Sequence, residues 1–465
     1  MASKRELLKG LMPVIIGLVV IVVVVVAVPS AVRLASKASG EPANLVFNIE
    51  GVLGKMPTSW RNLAQGGEEP TDMIAGIIPE TKALKPEYIR IDHIYNAYKV
   101  VSRNGGQLVY DWSRLDGAVN SILATGAKPF LSLSYMPDVI ATGDMVSAAR
   151  DWNEWGQVVG ATIQHFSGVN EKNIDGVIYE VWNEPDLFGG FKTYGDKNYL
   201  NMYEASARAA ANVRGTNLFE IGGPATTGLY QNWLERLIKF VDEKKLRMDF
   251  ISWHKYTTDL EQFEKDVVSA RSWAENIPAL VNLKYYVTEW GFDSENNKGY
   301  DEKSGAIHFL AASRTMLGAV DRAFVFEIKD GPGTEKYWGR WGLLTHEKFG
   351  APEKKPRYKA VEFLNDLYPY RLSVSGEGSW VKSLATTNDG GGIKIMVVNY
   401  DPKGTHVEAV PMTFENLPKG EFTVKRSNFM GESRTVKIAT TSATWKTSEY
   451  FEPNSAAIFT IDFMP

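Results

Sequence analysis

Cysteine is absent from this chain of 465 residues, and histidine is scarce, with six copies. Without cysteine an exported domain has no disulfide to lean on, so it has to be stabilised by burial. The histidines at 93, 165, 254, 308, 346 and 406 are scattered and show no His-Glu-x-x-His or comparable ligand spacing. Neither a catalytic metal nor another cofactor is therefore expected. An excess of one charge is lacking as well: 51 Lys and Arg stand against 55 Asp and Glu, a net charge of −4. That balance leaves no basic footprint and excludes a nucleic-acid partner. No sequence repeat is present, and the one low-complexity run is a valine-rich tract near the start.

That tract sets the expected compartment. Lys4, Arg5 and Lys9 precede an uncharged, mostly aliphatic stretch over 10–32, and Arg33 and Lys37 follow it. The stretch is long enough to cross a hydrocarbon core of roughly 30 Å as a helix. Its length favours a transmembrane anchor over a cleaved signal peptide, although Ser36-Lys37-Ala38 leaves secretion open. The basic residues before the span place 1–9 in the cytoplasm, with a linker over 33–43 and the rest of the chain outside the cell membrane as a single-pass protein.

Beyond the anchor a strand-then-helix rhythm begins. Strand-like runs at 45–49, 88–91, 129–133, 176–181, 220–222, 250–253, 285–288 and 323–328 alternate with amphipathic segments such as 148–166, 199–213 and 231–244. Eight strands alternating with helices predict a parallel sheet closed into a (β/α)₈ barrel, a TIM barrel, over 44–367. A doubly wound open sheet is disfavoured, because Gly51, Gly54, Gly66 and Gly67 do not make a Gly-x-Gly-x-x-Gly turn after the first run. From 368 to 465 the texture changes to short alternating runs at 380–385, 392–399, 421–427, 435–438 and 456–462, separated by turn residues. These predict a C-terminal antiparallel β-sandwich.

Two of the barrel runs end on a glutamate. Tyr-Glu-Val-Trp-Asn-Glu-Pro-Asp at 179–186 closes the fourth with Glu184, and Tyr-Val-Thr-Glu-Trp-Gly-Phe at 286–292 closes the seventh with Glu289. In such barrels the site lies at the carboxyl ends of the strands, so the two carboxylates should face each other. Paired carboxylates are what glycosidic-bond cleavage requires, one to protonate the leaving oxygen and one to attack the anomeric carbon or activate water.

Trp-Asn-Glu-Pro at 182–185 and Thr-Glu-Trp-Gly at 288–291 resemble the acid/base and nucleophile motifs of the retaining-glycosidase clan built on (β/α)₈ barrels. Within it the first string most resembles glycoside hydrolase family 39, which includes β-xylosidases, α-L-iduronidases and exopolysaccharide-cleaving enzymes. The resemblance implies Glu184 as acid/base, Glu289 as nucleophile and Asn183 on the 2-hydroxyl of the bound sugar. Phe-Ile-Ser-Trp-His-Lys-Tyr at 250–256 resembles the sixth-strand element and implies His254 and Tyr256 in the site, Tyr256 on the nucleophile. Arg90 matches the second-strand Arg. Where the family often has His two positions later, this chain has Asp92, with His93 next.

Each of these side chains also has a bland reading. Arg90 is equally a structural ion-pair partner, and His254 a hydrogen-bonded core residue. Trp290, Trp338 and Trp341 suit a sugar face, yet tryptophan as often fills a core. Glu327 and Asp330 either grip hydroxyls or form ion pairs. Three functions stay open: a retaining glycosidase on an extracytoplasmic carbohydrate, a transglycosidase, and a non-hydrolytic carbohydrate-binding protein with the same cleft. Full-length protein is expected to sediment with membranes and to resist alkaline carbonate, whereas protein starting near Gly40 should stay soluble. A mature form beginning near residue 39 in the medium would show a cleaved signal instead.

Overall fold

In the computed structural model residues 40–463 are described. The predicted anchor over 10–32 lies outside them. Among the described residues no helix is long and apolar enough to cross a membrane.

Eight parallel strands close into a barrel. In order they are Asn62–Gln65, Tyr88–Ile91, Lys128–Leu133, Val177–Val181, Phe219–Thr226, Phe250–Tyr256, Lys284–Gly291 and Arg322–Phe326. A helix follows each, among them Trp152–Ser167 after the third and Lys303–Met316 after the seventh. Parallel strands covered on both faces read as continuous apolar runs. Val177–Val181 is such a run, buried at every position. Inside the barrel Ala64, Phe130, Ile178, Phe250, Tyr286 and Phe324 form a layer of their own. A larger cluster fills the space between strands and helices.

The run at 45–49, expected as the first barrel strand, is not in the barrel. Leu45–Lys55 pairs antiparallel with Tyr370–Ser375 and, through Leu45–Asn48, parallel with Glu408–Glu415. Its burial explains the difference: Leu45 and Phe47 are buried while Val46 and Asn48 are half-buried. Such alternation suits a sheet with one wet face, not a strand enclosed on both. The true first barrel strand, Asn-Leu-Ala-Gln at 62–65, is buried throughout but too short and polar to stand out.

The C-terminal region departs from two separate antiparallel sheets. It is one nine-stranded sheet, antiparallel except where Leu45–Lys55 enters. The sheet curls over its own core, bringing Gly420–Asn428 against Trp445–Phe451. There Phe422 and Trp445 meet with ring centroids 5.5 Å apart, and Arg426 pairs with Glu449 at 2.6 Å.

The outer face of this sheet packs on the barrel. Leu384, Met396, Val398, Tyr400, Phe429 and Ile458 belong to the same apolar cluster as the barrel helices. Arg314, on the helix after the seventh strand, donates to the Ser383 carbonyl at 2.6 Å and pairs with Glu377 at 3.0 Å. A shared core implies shared unfolding. Met396→Ala, at a fully buried position, is expected to cost about 2–5 kcal/mol. Calorimetry should show one transition moving down as a whole; a barrel transition left in place while a second one falls would show that the two parts melt independently.

Candidate active site

The fourth strand ends in a strained turn. Trp182 and Glu184 both hold left-handed backbone, with φ of 74° and 46°. Such conformations cost non-glycine residues of order 1–3 kcal/mol each and persist only where surroundings enforce them. Here Ser132 donates to the Trp182 carbonyl at 2.9 Å, and the Glu184 amide donates to the Ala225 carbonyl at 2.9 Å. The turn buries Trp182 among Trp155 and Phe191 and leaves Asn183 and Glu184 lining the cleft. In the seventh strand the ladder slips between Val287 and Glu289. That irregularity aims Glu289 into the mouth.

Arg90 ties these pieces together. Fully buried in the second strand, it donates from Nε to Glu180 at 2.8 Å, from Nη1 to Glu289 at 2.9 Å and from Nη2 to the Asn183 Oδ1 at 2.7 Å. Burial opposes its charge, but Glu180, Glu289 and Asp92 outweigh burial and raise its pKa. Asn183 in turn donates to the Tyr135 hydroxyl at 2.9 Å.

From the sixth strand, His254 Nδ1 lies 2.8 Å from Glu184 and 3.5 Å from Glu289. Tyr256 donates its hydroxyl to Glu289 at 3.0 Å. Burial disfavours the imidazolium, yet Glu289 and Glu184 hold the His254 pKa above its ordinary value. Burial is also the main influence on Glu289, raised to about 7 with Glu184 and Asp92 pushing the same way and His254 and Arg90 pulling back. An oxygen of Glu184 and an oxygen of Glu289 lie within 4.8 Å of one another and of His254. The His254 nitrogen that faces both carboxylates, Nδ1, shares a hydrogen with Glu184 and so turns no lone pair toward a metal there. The other compact group, Glu69, His346 and Glu347, is similar: His346 accepts the Lys348 amide at Nδ1, so Nε2 carries the proton toward Glu69.

Four expected residues, Asn183, Glu184, Tyr256 and Glu289, thus line a cleft of about 720 Å³, and Arg90 and His254 lie buried beneath it, bonded to them. A groove of about 830 Å³ between the helices Trp152–Ser167 and Tyr199–Asn212 is larger. It gathers no comparable set, and its Glu204 and Arg208 pair with each other. Two expected residues lie elsewhere. Trp290 alternates with the inward Glu289, so it points outward and is buried against Phe309 and Phe263. Trp338 stays outside the cleft lining and covers Gly333, while Trp341 reaches the cleft with the Arg340 guanidinium 3.6 Å from its ring centroid. Asp330 is locked to Lys355 at 3.0 Å, and Glu327 lies buried beneath Gly66, its pKa raised mainly by burial.

Tyr135 and Glu180 escaped the sequence reading, and Asp92 was noted only as standing where the family often has His. Glu180 had a usable signal, because it stands within the fourth strand two positions after Ile178, which faces the barrel interior. Tyr135 and Asp92 follow strand ends, as Glu184 does, but no paired motif marks them. Asp92 is buried at the cleft, and its Oδ1 has no hydrogen-bond partner.

Residues 76–298 match the family model described as Glycosyl hydrolases family 39. A beta-xylosidase of Caldicellulosiruptor saccharolyticus is 28% identical over 323 residues, covering 63% of this chain and 64% of that protein. A beta-xylosidase of Geobacillus stearothermophilus is 32% identical over 308 residues, covering 58% of each. The chain therefore spans 64% and 58% of the length of these curated relatives. Among solved structures, a monomeric beta-xylosidase from Caulobacter crescentus superimposes with a TM-score of 0.73 at 19% identity, covering 90% of this chain and 99% of that one. The GH39 enzyme from Xanthomonas axonopodis pv. citri gives 0.72 at 20% identity, with 91% and 97% covered. At these identities the likeness is one of fold.

The charge arrangement predicts how Glu289 titrates. Asp92 raises the Glu289 pKa, which stands at about 7. Removing a like charge favours the ionised form, so Asp92→Asn should move the Glu289 midpoint down. A carbon-13 titration of labelled glutamate reads this, and an unchanged or higher midpoint would contradict it.

Proposed function

We propose, from the premise that this chain is a family-39-like glycosidase, that it is a retaining hydrolase acting on β-linked xylose or a close relative outside the cytoplasm. The observation that carries the retaining reading is the approach of Glu184 and Glu289 oxygens to within 4.8 Å. Carboxyl groups about 5–5.5 Å apart suit direct attack on the anomeric carbon, whereas inverting pairs stand about 6.5–9.5 Å apart to admit a water.

Each neighbour then has a task. Glu289 attacks the anomeric carbon and forms the glycosyl-enzyme, while Arg90 and Tyr256 hold its two oxygens in place. Glu184 delivers a proton to the leaving oxygen. In the second step it takes a proton from the incoming water, and the Glu289 ester is released. His254, shared between both carboxylates, keeps Glu184 oriented as charge moves between them. Asn183 uses its Oδ1 for Arg90 and one amide hydrogen for Tyr135, and keeps a second hydrogen for the sugar 2-hydroxyl.

Support for xylose comes from the two curated relatives, and support for an extracytoplasmic substrate comes from the apolar run at 10–32. A 2-fluoro xyloside should label Glu289, and the first product seen by proton NMR should keep the β configuration. Glu184→Ala should slow glycosides with poor leaving groups by about 10²–10⁴ and activated aryl glycosides far less, with azide restoring turnover. An inverted first product or a label on another residue would overturn the assignment.

A further inference from the structure

Beside Glu184 the cleft margin is apolar, exposed and rigid. Leu187 and Phe188 are 60% and 41% exposed and line the cleft. On the neighbouring loop, after the fifth strand, Tyr230 is 43% exposed with its ring close to Gly228, which lines the cleft. Large apolar side chains left in water cost stability unless something covers them. These are not loose loop residues. The Leu187 and Phe188 amides donate to the Glu184 carbonyl at 3.0 and 2.7 Å, and the Trp182 indole donates to the Phe188 carbonyl at 3.0 Å. Asp186 accepts the Thr227 amide at 3.0 Å, and the hydroxyls of Thr227 and Tyr230 stand 2.9 Å apart. The two sides of the margin are thereby braced to each other.

The chemistry orients this surface. An acid that protonates the leaving oxygen stands on the side of the leaving group, and the turn bearing Glu184 runs directly into Leu187 and Phe188. The opposite wall is closed by Phe326, Trp341 and the Arg340–Glu68 ion pair. We propose that Leu187, Phe188 and Tyr230 form a binding platform for the leaving-group portion of the substrate, taking the apolar C–H faces of further sugar units. The substrates are accordingly oligosaccharide or polysaccharide chains extended toward the reducing end. This rests on the glycosidase reading above.

Reducing-end-labelled xylobiose, xylotriose and xylotetraose, with an aryl β-xyloside for reference, test it in the full chain. The kcat/KM should rise several-fold with length, the label leaving with the longer fragment. Phe188→Ala and Tyr230→Ala should each cut the tetraose-to-aryl ratio about tenfold, as a lost sugar–ring stacking contact implies. Tyr230→Phe should keep most of the length effect, because the ring face remains. A length-independent rate in the unaltered protein, with the aryl xyloside cleaved, overturns the platform and leaves the glycosidase reading standing. Unaltered ratios in both alanine variants overturn it equally. Cleavage of neither substrate type overturns the xylose reading on which it rests.

Discussion

A single guanidinium, buried without access to water, imposes the order of the cleft mouth. Taking an arginine out of solvent is expensive, and the cost is offset only if its donors are met with good geometry. Arg90 meets Glu180, Glu289 and Asn183, which come from the fourth strand, the seventh strand and the turn after the fourth. Three elements are thereby brought into one register. The same contacts place a full positive charge against Glu289, so the carboxylate proposed to attack is both oriented and helped to ionise in a buried site.

Around that charge the site stores strain. The turn carrying Glu184 holds two left-handed residues within three positions, enforced by hydrogen bonds from the third strand and to the fifth. The gain is direction: without the reversal, Trp182 would compete with Glu184 for the mouth. His254 then couples Glu184 and Glu289, and Asp92 adds a further carboxyl group whose buried Oδ1 has no hydrogen-bond partner in the protein. The site is thus a cluster of carboxylates balanced by one permanent cation and one titratable one.

The β-rich domain is bound to the barrel at both ends of the described chain. The strand Leu45–Lys55 precedes the barrel yet lies in the far sheet, and the helix after the eighth strand leads back into that sheet. The barrel sits between two segments of one sheet, and the apolar cluster shared across the junction joins the two parts into one packed unit. This arrangement holds the helices after the seventh and eighth strands, and through them the loops that carry Trp341 and Arg340 to the cleft.

What the sequence determined by itself was local. The two runs ending in Glu184 and Glu289 were legible because a strand pattern and its abrupt end are written in neighbouring residues, whereas Arg90, His254 and Tyr256 were read only through resemblance to a family's strand motifs. The alternation of such runs with amphipathic segments also foretold the barrel. Tertiary structure decided what depends on distant partners. Leu45–Lys55 satisfies a strand pattern in either sheet, and only pairing with residues some three hundred positions away assigns it. Trp290 and Trp341 are both plausible sugar faces on composition, and the pleat sends one outward while the return of the eighth loop brings the other in. The closeness of Glu184 to Glu289, the unpartnered carboxylate of Asp92 and the braced margin at Leu187, Phe188 and Tyr230 arise from barrel closure, which no local pattern encodes.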